Sequence, residues 1–203
     1  LDRRPASVTA AEIADNVEFC EAFRRQAGSE LESRPLLKLF HLKGPHLPLS
    51  VNERGEHETL PYSPANYRRT LTGVTRLVAS LLDALRQRGL LDRSLLLIVS
   101  DHGHYTPVVL PRDRPLPTGD SPAEFPRALA LLLVKPLGSS GPLRVSDAPV
   151  QLSDVPQTVL GGLGLGTAGV DGEDVFTLSA DSRRRRTFRA MRDAHWRLSR
   201  RLD

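Results

Sequence analysis

Apolar side chains recur along this chain in two rhythms, a spacing of three and four residues and short unbroken runs. The first rhythm marks helices. Ile13, Val17, Cys20 and Phe23 fall on one helical face, with Thr9 and Glu12 at capping-box spacing before them and Gly28 as a stop. Tyr67, Leu71, Val74, Val78, Leu81 and Leu85 mark a long helix that Ser63 and Pro64 start and Gly89 ends. Ser153-Asp154-Val155-Pro156 opens a short helix that stops at Gly161-Gly162. Phe188, Met191, His195, Leu198 and Leu202 form the stripe of a basic terminal helix within residues 183–203.

The unbroken runs predict strands buried on both faces. They are Leu36–Leu42, Leu95–Val99 and Ala128–Val134. Gly44-Pro45-His46-Leu47-Pro48 must leave any sheet, because proline lacks the N–H of a central strand. Val51–Tyr62 has no period and reads as a loop, as does the proline-rich stretch Thr106–Pro126. Helix and strand alternate, so the expected fold is a single α/β domain over residues 1–203. Its sheet is expected to be largely parallel and flanked by helices.

Composition narrows this picture. At 203 residues with 39% hydrophobic content, the chain is long enough for a sizeable core. A lone cysteine, Cys20, excludes a disulfide framework or a thiolate zinc cluster. No apolar run approaches the ~18–20 residues of a membrane span, and no signal-peptide pattern opens the sequence. The net charge is +4, and the basic residues are almost wholly arginine, since only Lys38, Lys43 and Lys135 are lysines. Without a recognition motif or interleaved aromatics, this charge points to no nucleic-acid partner. The run Arg183–Arg186 reads as a solvated helix face or as a contact for anionic lipid headgroups.

Two segments could carry chemistry. Ser100-Asp101-His102-Gly103-His104 follows the most apolar strand, at the kind of strand end where α/β sheets bind ligands. Asp101 and His102 offer carboxylate oxygen and imidazole nitrogen to a divalent cation. The plainer reading is a turn with an incidental histidine. His41-Leu42-Lys43-Gly44-Pro45-His46 also follows an apolar run. There His46 could donate to an oxyanion or a leaving group, or simply contact a carbonyl of its own loop.

Taken together, these segments resemble the sulfatase-like branch of the alkaline phosphatase superfamily, which includes sulfatases, phosphoethanolamine transferases and lipoteichoic acid synthases. The resemblance rests on Leu39-Phe-His-Leu-Lys-Gly-Pro-His-Leu-Pro, Tyr67 opening a helix, and Leu95-Leu-Leu-Ile-Val-Ser-Asp-His-Gly. Pro126–Gly138 and Val150–Leu160 continue it, and it covers roughly residues 35–190. It implies an alkaline phosphatase-like fold, incomplete at the N-terminus, as the C-terminal part of a larger catalytic domain. Asp101 and His102 would ligate one divalent ion (Mn, Zn, Mg or Ca), and His46 would contact the transferred phosphate or sulfate. His104 would be an additional substrate contact or a plain loop residue.

The family reaction passes through a covalent intermediate on a Thr, Ser or modified Cys, in a part of the family fold that nothing here matches. This chain alone is therefore expected to be inactive. No lysine occurs between Gly103 and Lys135, where sulfatases place a substrate contact, and no His-Gly ligand follows downstream. Thr75 stands near the position of a family Asp on its helix. The first two departures lean toward the single-metal phosphotransferase type. The expected activity is that of a hydrolase or transferase on phosphate or sulfate esters, lipid- or glycan-linked ones included. A non-catalytic anion-binding or regulatory relative is the other reading. The resemblance also implies the extracytoplasmic face of a bacterial membrane or the periplasm, with any tether in the N-terminal part.

Overall fold

The computed structural model describes residues 16–26, 37–104, 125–184, 186–192 and 195–202, and the chain divides into two compact units, residues 1–91 and 92–203.

The first unit is built on α2, Pro64–Gln87. Its start is set locally: the Ser63 hydroxyl accepts the Asn66 N–H at 3.1 Å, and Pro64 fills a position whose N–H would have no helical partner. Its end coincides with Gly89 at φ +65°, where a side chain would be strained. The inward face carries Thr70, Gly73, Val74, Leu81 and Ala84, all buried. Against it pack α1, Asn16–Gln26, and a hairpin of β1, Leu49–Val51, and β2, His57–Leu60.

Leu49 and Val51 are completely buried, and such burial stabilises by about 1.5–3 kcal/mol per side chain. Thr70 Oγ1 donates to the Val51 carbonyl at 2.7 Å, so this buried acceptor is satisfied from the helix. The close approach requires Gly73, because a Cβ there would stand 1.8 Å from the Asn52 carbonyl oxygen. Asn52 also shapes the hairpin turn: its side-chain oxygen accepts the N–H groups of Arg54 and Glu56 at 2.9 and 3.1 Å.

In the second unit, β3, Leu96–Val99, pairs antiparallel with β4, Leu132–Lys135, with Leu96 opposite Lys135 and Val99 opposite Leu132. A short helix, α3, Phe125–Ala128, precedes β4. A 3-10 turn, Leu152–Asp154, leads into α4, Val155–Gly162. The following chain folds back onto α4: Gln157 Nε2 donates to the Val170 carbonyl at 2.6 Å, and the Val175 N–H donates to Thr158 Oγ1 at 3.1 Å. Asp154 is fully buried at the centre of this arrangement. It accepts both terminal guanidinium nitrogens of Arg184 at 2.6 and 2.7 Å, and the N–H groups of Gln151 and Glu173 at 2.8 and 3.0 Å. Burial alone would push the Asp154 carboxyl up, but Arg184 and the two backbone donors outweigh it and hold the group below its ordinary range.

Several expectations need correction. The described residues within 183–203 form no helix: β5, Arg186–Arg192, pairs antiparallel with β6, His195–Leu202. A stripe at spacings of three and four does not encode a reversal, and pairing Arg192 with His195 folds that stripe in two. The run from Leu36 is not a buried strand, since Leu37 and Leu39 are 85% and 91% exposed and no strand among the described residues pairs with the segment. Phe40 anchors it, its ring centre 5.3 Å from those of both Phe19 and Phe23. Val51–Tyr62 holds the last residue of β1, the turn and all of β2, so it is most of a hairpin rather than a featureless loop.

Helices and strands are both present along the chain, but every sheet among the described residues is a two-stranded antiparallel pair, so no large parallel sheet is seen. Continuous apolar runs specify burial and leave strand direction open. The Thr9–Glu12 cap, the Gly28 stop and most of the Thr106–Pro126 stretch lie outside the described residues. Among those described, no helix is long and apolar enough to cross a membrane.

Candidate functional site

The candidate residues follow β3 directly. Ser100 fastens the strand exit, its N–H donating to the Leu131 carbonyl at 3.1 Å and its hydroxyl accepting the Leu131 N–H at 2.7 Å. Three residues on, the Gly103 N–H donates to the Arg127 carbonyl at 2.8 Å. Between these anchors stand Asp101 and His102, both exposed. Asp101 Oδ1 accepts the His102 backbone N–H at 2.9 Å. His102 Nδ1 lies 2.7 Å from the Gly103 carbonyl. A carbonyl only accepts, so Nδ1 carries the proton, and Nε2 is the lone-pair nitrogen of the neutral ring.

That Nε2 faces Asp101 Oδ2 at 3.6 Å. Two electron-rich donors across such a gap repel unless a proton or a cation stands between them. Two ligands held at ~2.1 Å around a tetrahedral ion lie about 3.4 Å apart, close to the observed separation. Carboxylate and imidazole are both suitable donors for a divalent ion. The pair therefore fits part of a metal's ligand set. Among the described residues, no further His, Cys, Asp or Glu joins it in a group able to hold an ion.

His104 is half-buried beside this pair, and burial, then the neighbouring His102, hold its imidazole below the ordinary value. His46 belongs to the other unit and is exposed, with Nδ1 2.6 Å from the Leu47 carbonyl. Buried Asn16 shapes its turn, donating to the Gly44 carbonyl at 3.2 Å and accepting the Lys43 N–H at 2.9 Å. Asp101, His102 and His104 are thus gathered in one loop, while His46 sits in a separately built turn of the first unit.

A family model for Sulfatase matches residues 15–165, well over half of the chain. The chain belongs to the sulfatase family. No curated protein and no solved structure matches it. Membership carries an alkaline phosphatase-like α/β fold, hydrolase-type activity on sulfate esters and, in general, use of a divalent metal ion. The match includes both the His46 turn and the Asp101–His104 loop, and it ends before Arg184 and the β5–β6 hairpin.

The structure of this sulfatase-family chain also reveals contributors that sequence reasoning passed over. Ser100 reads as part of the motif, yet its role is to tie β3 to Leu131. Arg127 meets the loop through its backbone carbonyl, a contact that no side-chain pattern encodes. Asp154 reads as a helix opener, and only the fold shows that it holds Arg184, 30 residues later. An acidic residue flanked by Leu152 and Val155 was the available signal.

Proposed function

We propose that this sulfatase-family protein is a metal-dependent enzyme acting on sulfate or phosphate esters through a covalent enzyme intermediate, with Asp101 and His102 as ligands of one divalent ion. The observation that carries this reading is the 3.6 Å separation of Asp101 Oδ2 and His102 Nε2, two exposed donors at a strand exit. A bound ion would neutralise oxygens of the transferred group and lower the pKa of the attacking nucleophile. The chain's own part is positioning. The Gly103 carbonyl holds the proton on His102 Nδ1 and so keeps Nε2 available. The ties of Ser100 to Leu131 and Gly103 to Arg127 fix the loop at both ends.

His46 is proposed to contact the transferred group. Its Nδ1 proton is engaged by the Leu47 carbonyl, so only Nε2 can face a ligand, and it donates to an anionic oxygen only when the ring is protonated. The lean toward single-metal phosphoryl transfer, a lipid- or glycan-linked substrate and an extracytoplasmic site of action extends the proposal on the strength of the resemblance.

Calorimetric titration of Mn into the wild-type chain, Asp101→Ala and His102→Ala tests the metal assignment. Two protein ligands leave most of the coordination to water, so wild-type binding should be weak, and each variant should weaken it by about tenfold or more. Binding that survives both substitutions would overturn the assignment. Turnover of an aryl sulfate against an aryl phosphate by the complete enzyme then separates the two ester classes.

A further inference from the structure

We infer that the first unit carries a second anion site, a cleft between α1, α2 and the β1–β2 turn that takes a sulfate or phosphate group. This does not rest on the proposed metal centre, because every residue lining the cleft belongs to the first unit. The cleft has a volume of about 210 Å³, below the roughly 300–1,000 Å³ of pockets for larger organic ligands. Its size suits a small group.

Its charge selects the group. Arg24 from α1, Arg54 from the hairpin turn and Arg76 from α2 all line the cleft. Among the described residues none of the three guanidiniums makes an ion pair. Glu21 is the one carboxylate in the lining, and it already faces Arg25 at 3.8 Å. On the hairpin, Glu53 and Glu58 pair with Arg69 at 2.6 and 3.3 Å, the Arg69 hydrogen bond holds the Glu53 carboxyl below its usual range, and Glu56 accepts from the Asn52 side chain at 3.2 Å. Like charges sharing a cleft raise the energy of the empty state and favour an anion that accepts from several of them. Guanidinium forks match the oxygens of a tetrahedral oxyanion, whereas the Ser80 hydroxyl in the wall is engaged with the Leu77 carbonyl at 2.7 Å.

The arrangement is also held in place. Arg54 rides on a turn whose N–H groups are tied to the Asn52 side chain and which docks on α2 at Gly73. The end of α1 is fixed where Arg88 Nη2 donates to the Arg24 carbonyl at 2.9 Å. Two of the three cations therefore start from anchored backbone, which reduces the ordering cost of binding.

Calorimetric titration of the full chain with sodium sulfate, sodium phosphate and their methyl monoesters, at ionic strength fixed with chloride, tests the site. The expected result is saturable binding of at least one of these anions, with the free ions and the esters distinguishing the source of the group. Arg54→Ala and Arg76→Ala should each weaken it by roughly fivefold, and Glu21→Gln should tighten it by roughly threefold, as expected for screened charges near a surface. All three are exposed, so unchanged far-UV circular dichroism is expected and separates lost binding from lost folding. Binding unaffected in the double variant Arg54→Ala/Arg76→Ala, or no heat beyond that of chloride, would overturn the site. Binding abolished by His102→Ala instead would move the anion to the other unit and overturn it equally.

Discussion

Replacing Arg184 with methionine tests the centre of the second unit. The substitution keeps an unbranched apolar stem and removes the charge. Asp154 is fully buried and the Arg184 side chain is 12% exposed, so water cannot readily take the place of the guanidinium. The carboxylate loses two charge-assisted hydrogen bonds and keeps only the N–H groups of Gln151 and Glu173. Hydrogen bonds to charged groups contribute about 1.5–3 kcal/mol each, and stranding one member of a buried pair costs about 3–5 kcal/mol. The lost contact of Arg184 with half-exposed Glu173 at 3.1 Å adds about 0.5 kcal/mol. A net loss near 4 kcal/mol at neutral pH follows, set against the relief of no longer burying a cation.

The pH dependence gives the sharper criterion. In the wild type, the folded Asp154 carboxyl titrates below its unfolded value. Its contribution to stability is therefore full above ~4 and is lost as pH falls through the lower folded value. Without Arg184, burial dominates and raises the folded value, so protonation in acid relieves the variant. The gap between wild type and Arg184→Met should narrow between pH 7 and pH 3. Urea unfolding followed by fluorescence of the one tryptophan, Trp196, measures both quantities. A gap under about 1 kcal/mol at pH 7, or one that does not narrow in acid, would refute the account of Asp154 as a carboxylate held ionised by Arg184.

Gly73→Ala should destabilise the first unit by about 2 kcal/mol or more, because the new Cβ meets the Asn52 carbonyl and Val51 Cγ1; a midpoint unchanged in urea would show that the hairpin does not dock there. Ser63→Ala should cost about 1 kcal/mol and be partly rescued by Ser63→Asp, read by thermal melts of helical ellipticity. Thr70→Val should cost about 1–3 kcal/mol by leaving the buried Val51 carbonyl unsatisfied, again in urea. His46→Gln should lower turnover by the enzyme while leaving Mn affinity unchanged; a parallel loss of Mn affinity would make His46 a ligand rather than a substrate contact.

The features legible in the sequence were those that are locally determined. Ser63-Pro64 and Gly89 bound α2 because capping and chain reversal are decided within a few residues. Leu95–Val99 located β3 to within a residue, and with it the Asp101-His102 pair. The β1–β2 hairpin was missed, although Asn52 and Gly55 between Leu49-Val51 and Leu60 are turn residues between apolar positions. Strand direction, the reversal between Arg192 and His195 and the exposure of Leu37 and Leu39 depend on partners distant in sequence. No local pattern contains them. The candidate site was proposed from a motif, while the hydrogen-bonded proton on His102 and the contact of the Arg127 carbonyl required coordinates.

The ties from Ser100 to Leu131 and from Gly103 to Arg127 sit on either side of residues 105–124. The Asp101-His102 pair therefore stands at the base of a closed segment whose two ends are joined independently of what lies between them. Lengthening such a segment twofold costs only about 0.6 kcal/mol in closure entropy. The ties at the base do not depend on the length of the chain between them. Changes between His104 and Phe125 therefore leave both ties, and with them the spacing of the donor pair, in place.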